Sequence, residues 1–171
     1  IASFMGLPDL FDTETGLSAI GRFGLMDGQS IFAYGGTFPP EPSPWEKIQF
    51  GWIEPTLVEF TQQEISLNLV AERAAAIGDT TILKIPINQT EYYLVENRSR
   101  DALNNGAVIN YKVNGEERTL TVPEDVDGFR SFNVDTLAGV ITGVDEYDWA
   151  VPGNGIVIWH IDEKIINEKL A

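Results

Sequence analysis

From Thr56 onward the apolar positions fall in short runs of β-branched and aromatic residues separated by polar stretches rich in Asn, Asp and Gly. The runs are 56–60, 65–70, 80–87, 91–96, 107–113, 117–122, 137–144 and 155–161. Their length and composition predict strands. Asn114-Gly115 sits between two of them, and a two-residue hairpin of type I′ favours that pair because both central residues need φ > 0. Asp162 then predicts the cap of a last amphipathic helix with Ile165, Ile166 and Leu170 on one face.

The first third of the chain reads differently. Residues 1–5 form a short apolar stretch ended by Gly6, as in the last turn of a helix with a glycine C-cap. From Leu7 to Pro42 no period is sustained, and the abundance of Gly, Pro and Asp predicts a long, ordered loop region. Ser43-Pro44-Trp45-Glu46 carries an N-cap Ser, Pro at the first helical position and Glu three residues after the cap, so a short helix should run to about Gly51. Glu54-Pro55 marks the expected boundary between residues 1–55 and a β-rich part, 56–171. The expected class is α+β, mainly β.

Charge narrows the partners. Eleven basic against 26 acidic side chains give a net −15, a field that repels phosphate backbones and anionic headgroups, so nucleic acid is not expected. No apolar run approaches the roughly 20 residues needed to cross a bilayer. The chain has no cysteine, which excludes disulfides and thiolate zinc sites. It opens on Ile-Ala-Ser rather than Met, so further polypeptide is expected upstream.

Several segments, in order, carry a family likeness. Gly6-Leu7-Pro8-Asp9-Leu10-Phe11-Asp12, Phe23-Gly24-Leu25-Met26-Asp27-Gly28 and Pro44-Trp45-Glu46-Lys47-Ile48-Gln49-Phe50-Gly51-Trp52 resemble successive landmarks of the immune inhibitor A family of zinc metallopeptidases. Glu91-Tyr92-Tyr93-Leu94-Val95-Glu96-Asn97-Arg98 and Gly155-Ile156-Val157-Ile158-Trp159-His160-Ile161-Asp162-Glu163 resemble the β-rich part that follows the catalytic domain in many members. The likeness is weakest over 104–152. It implies the C-terminal subdomain of a metzincin-like domain packed on an antiparallel β domain. A secreted or cell-surface location in a bacterium or archaeon is implied with it.

Metzincins read H-E-x-x-H-x-x-G-x-x-H or D along the zinc helix, followed by a methionine turn. Aligning that Gly with Gly6 makes Asp9 the third zinc ligand and places Ser3 at the second ligand position. The first His and the general-base Glu are then expected immediately upstream of Ile1. Ser3 departs from the pattern, because an un-ionised hydroxyl is a poor substitute for an imidazole nitrogen. Met26 is the methionine of the turn. Ser3 and Asp9 are expected close together with Met26 beneath them, on a scaffold packed through Phe4, Met5, Leu7 and Leu25.

Two functions follow from this register. One is part of a secreted zinc endopeptidase with an incomplete zinc site, inactive as this chain alone, whose partners would be its upstream part and a polypeptide substrate. The other is a non-enzymatic adhesion, matrix or surface-assembly module that keeps the peptidase fold.

Other residues invite weaker readings. Asp9, Asp12, Glu14 and Asp27 are hard oxygen donors of the kind calcium prefers, without an EF-hand loop. His160, the one histidine, reads as a hydrogen-bonded structural residue near Asp162. Asp145, Glu146 and Asp148, beside Tyr147 and Trp149, read as a solvated acidic turn. Asn88-Gln89-Thr90 and Asn97-Arg98-Ser99 fit the glycosylation pattern by chance. The four tryptophans read as core.

Overall fold

Asn114 and Gly115 take φ of 52° and 88°, the paired positive values that a type I′ turn requires. The turn joins β4 (Ala107–Val113) to β5 (Glu116–Val122), with Val113 opposite Glu116 and Ala107 opposite Val122. These are features of a computed structural model that describes residues 2–28, 38–59, 66–122 and 139–170, with Lys169 and Leu170 described by backbone only. Among them lie five further strands: β1 (Thr56–Leu57), β2 (Ile82–Pro86), β3 (Glu91–Arg98), β6 (Val140–Val144) and β7 (Gly155–Asp162). Two α-helices accompany them, α1 (Pro44–Gln49) and α2 (Glu163–Leu170). The fold is α+β and mainly β.

Compactness divides the chain into two discontinuous units. The first comprises Ile1–Pro8, Pro42–Arg98 and Asn154–Ala171, and the second Asp9–Glu41 and Ser99–Gly153. This division runs differently from a cut at residue 55, because β7 returns late in the sequence to pair with β3.

In the first unit the strand order is β1-β2-β3-β7, antiparallel except for the parallel β1–β2 pair. Alternation sends Tyr92, Leu94, Trp159 and Ile161 to the buried face, together with Ile82. Burial of each such side chain is worth roughly 1.5–3 kcal/mol. Glu96 shares that face. Its Oε1 accepts from Trp159 Nε1 and from Arg98 Nη1, each at 3.0 Å, so the buried charge is partnered. Helix α1 packs against β3. It starts as its sequence predicts: the Ser43 hydroxyl accepts from the Glu46 N–H, the Glu46 carboxylate accepts from the Ser43 N–H, and Pro44 opens the first turn. Glu163 Oε1 accepts from both Trp45 Nε1 and Tyr92 Oη, tying α1, β3 and the start of α2 together.

In the second unit β4 lies between β5 and β6. Ala107, Ile109 and Val122 are buried with Phe38, Trp149 and Ala150, and Ile141 and Val144 pack against them half-buried. The other face of this sheet is polar and exposed around Asn110 and Thr119. Register on β6 shifts between Asn110 and Tyr111, which face Gly143 and Ile141, so Thr142 is an extra residue in a β-bulge.

Several expectations need correction. Residues 66–70 form no strand, and in the 56–60 run the strand is only Thr56–Leu57. Residues 60–65, 137 and 138 lie outside the described set. Asp162 does cap α2, its Oδ1 accepting from Lys164 N and Ile165 N, yet Ile165 is exposed and Ile166 only half-buried. The side chain of Leu170 is outside the described set. Trp45, Trp149 and Trp159 are buried as expected, but Trp52 is exposed and stacks on Phe50, with ring centroids 4.6 Å apart. Phe4 is 96% and Met5 52% exposed, so of the expected scaffold only Leu7 is buried and Leu25 half-buried.

Candidate functional site

The residues before Asp9 close a helical turn. Gly6 has φ +98°, its N–H donates to Ser3 O at 3.1 Å, and the N–H of Leu7 reaches back to Ala2 O at 3.2 Å. That pair of bonds is a Schellman C-cap, in which a glycine supplies the left-handed residue. Leu7 is buried behind it, while Ser3 is exposed. The next unit begins at Asp9, also exposed.

Leu10, directly after Asp9, donates its N–H to Met26 O at 3.0 Å. Met26 is 8% exposed. The methionine segment therefore runs beside the residue that follows Asp9, and the Met26 side chain is packed inside. Between them the chain forms a tight excursion. Asp12 N donates to Leu17 O, Asp12 Oδ1 accepts from Glu14 N at 2.9 Å and Thr15 N at 3.2 Å, and Phe11 bridges Ser18.

Asp27 anchors the return of that excursion. Its Oδ2 accepts from Ser18 Oγ at 2.8 Å and from the N–H groups of Ala19, Ile20 and Gly21 at 2.9, 3.1 and 3.3 Å. Asp27 is only 2% exposed, and these converging donors stabilise its buried carboxylate.

Of the four residues considered for calcium, Asp27 and Asp12 thus turn carboxylate oxygens toward their own backbone, and Asp9 and Glu14 are exposed. Among the described residues no three or more His, Asp or Glu side chains are grouped as a metal-ion ligand set. For zinc this chain supplies a carboxylate at Asp9 and a hydroxyl at Ser3, and its one imidazole is used elsewhere: His160 Nε2 lies 2.7 Å from Glu91 Oε1. His160 is thus a hydrogen-bonded residue, and the nearby Asp162 caps α2 as expected. These residues do not by themselves fit a zinc ion.

The acidic turn at 145–148 is a second correction. Glu146 is 1% and Asp148 6% exposed. Asp148 Oδ1 accepts from Glu41 N, Glu146 Oε1 from Leu103 N, and Asp145 Oδ1 from Val108 N. Burial, followed by the charges of Asp145 and Asp101, holds the Glu146 carboxyl above the usual range despite backbone donors from Leu103 and Ala102. Tyr92 is likewise pushed up, first by burial and then by its bond to Glu163. Alternation alone could not reveal these groups, because the backbone donors that hold them come from distant loops.

Comparison with protein-family models, with curated proteins and with solved structures finds no match to this chain.

Proposed function

We propose that this chain is part of a secreted zinc-metallopeptidase-like protein of the immune inhibitor A type, without a full set of zinc ligands. The observation that carries this reading is the hydrogen bond from Leu10 to Met26. It sets the segment of the buried Met26 beside the residue after Asp9, which supports the register on Gly6. The glycine-closed turn from Ala2 to Leu7 supports the same register from its own unit. In this reading Asp9 is the surviving ligand and Met26 the packing residue of the turn. Ser3 replaces an imidazole with a hydroxyl that binds zinc poorly at neutral pH.

That substitution also favours the second reading, a non-enzymatic adhesion, matrix or surface-assembly module descended from a peptidase. Both predict the same assay result for this chain. Purified protein supplied with zinc should not cleave casein, with or without a chelator. Chelator-sensitive cleavage would overturn the incomplete site.

A further inference from the structure

On the polar face of the β5-β4-β6 sheet the bulge at Thr142 opens a hollow of about 370 Å³, lined by Asn110, Tyr111, Glu117, Arg118, Thr119, Thr142 and Gly143. Its origin is local. The extra residue Thr142 bends β6 away from the regular pleat, and Gly143, opposite Asn110, contributes no side chain. A Cβ placed there would stand 3.7 Å from Asn110 Nδ2. The volume is within the range of small-molecule sites, roughly 300–1,000 Å³, but the lining is far more polar than most of them.

Charge in the lining is compensated. Lys112 Nζ lies 3.1 Å from Glu117 Oε1, and Arg118 Nη2 lies 3.5 Å from Glu116 Oε2. An anion would also meet the net −15 of the chain. What remains is an amide and two threonine hydroxyls, groups that both donate and accept. Thr119 Oγ1 already donates to Asn110 Oδ1 at 2.9 Å, which fixes the amide with its nitrogen toward Gly143. A ligand that matches such a set is itself uncharged and carries closely spaced donor-acceptor groups.

We propose that this hollow binds a neutral saccharide, one or two sugar rings in length. The site lies wholly within the second unit and is independent of the zinc reading. Saturation-transfer NMR and calorimetry with glucose, galactose, mannose, N-acetylglucosamine and their β-linked disaccharides test it. At least one of these sugars should bind with a Kd in the millimolar range or tighter. Thr142→Val and Asn110→Ala should each weaken it by roughly 2–10-fold, the loss of one or two neutral hydrogen bonds. Gly143→Val, which fills the hollow with a strand-compatible side chain, should abolish binding while circular dichroism stays unchanged. If that variant does not fold, Thr142→Val, a near-isosteric change at an exposed position, carries the test. Absence of binding across the panel, binding unaltered by Thr142→Val and Asn110→Ala, or displacement of the sugar by inorganic sulfate would each overturn the proposal.

Discussion

The backbone N–H of Leu10 donates to the carbonyl oxygen of Met26 across 3.0 Å, and the buried Met26 side chain locks that contact from within. Because the bond is between backbone groups, it survives substitution of the side chain, and only the packing is at risk. Met26→Ala should cost about 2–4 kcal/mol in urea unfolding through the cavity it leaves. Met26→Leu should cost less than about 1.5 kcal/mol. Equal effects from the two would show that Met26 does not act by filling space.

Asp27 should be the most sensitive acidic residue of the loop region. Its buried Oδ2 gathers Ser18 Oγ and the N–H groups of Ala19, Ile20 and Gly21, and Asp27→Ala would leave those donors without their acceptor. A loss of roughly 3 kcal/mol or more is expected in thermal or urea unfolding, since hydrogen bonds to a charged group are worth about 1.5–3 kcal/mol each and do not add fully. Asp12→Ala, at an exposed turn, should cost far less.

Glu146 gives the opposite sign. Its carboxyl titrates above the ordinary carboxylate range in the folded protein, so the folded state holds this proton more tightly than the unfolded one. The stability it contributes is therefore complete below the ordinary carboxylate pKa and is lost as pH rises through the raised folded value. Glu146→Gln keeps an oxygen for the Leu103 N–H and removes the charge. The variant should be more stable than wild type at pH 7 and should lack this part of the decline between acid and neutral pH. A variant less stable than wild type at pH 7 would contradict the assignment.

The hairpin turn should tolerate glycine and little else at its second position. Gly115 sits at φ +88° with open space around its Cα, so Gly115→Ala is penalised by backbone strain alone, about 1–2 kcal/mol. Asn114→Gly should be near neutral, because asparagine is already a residue that accepts φ of 52°.

The parts of the fold that are legible in the sequence are those written locally. The capping box at Ser43 and Glu46, the Asn114-Gly115 turn, the Gly6 cap and the alternation of β3 and β7 all depend on residues within a few positions of each other. Where the reading departs from the structure, distant partners decide. Asp145, Glu146 and Asp148 look like a solvated turn until Val108, Leu103 and Glu41 supply backbone donors from elsewhere in the chain. Phe4 and Met5 look like core because they are apolar, and only the position of the turn shows that they face water. For the candidate site, Gly6 is legible as a cap from the apolar run it ends and Met26 enters only through the family resemblance, whereas the donor cage around Asp27 requires the chain to double back on itself.

The proposed register sets Gly6 at the glycine of a metzincin zinc helix, Asp9 at its third ligand and Ser3 at its second. The most direct measurement is the sequence of the coding region immediately preceding the Ile1 codon. The register predicts His-Glu at those two positions. Any other pair would contradict it, and with it the reading of Asp9 and Met26 as remnants of a zinc site.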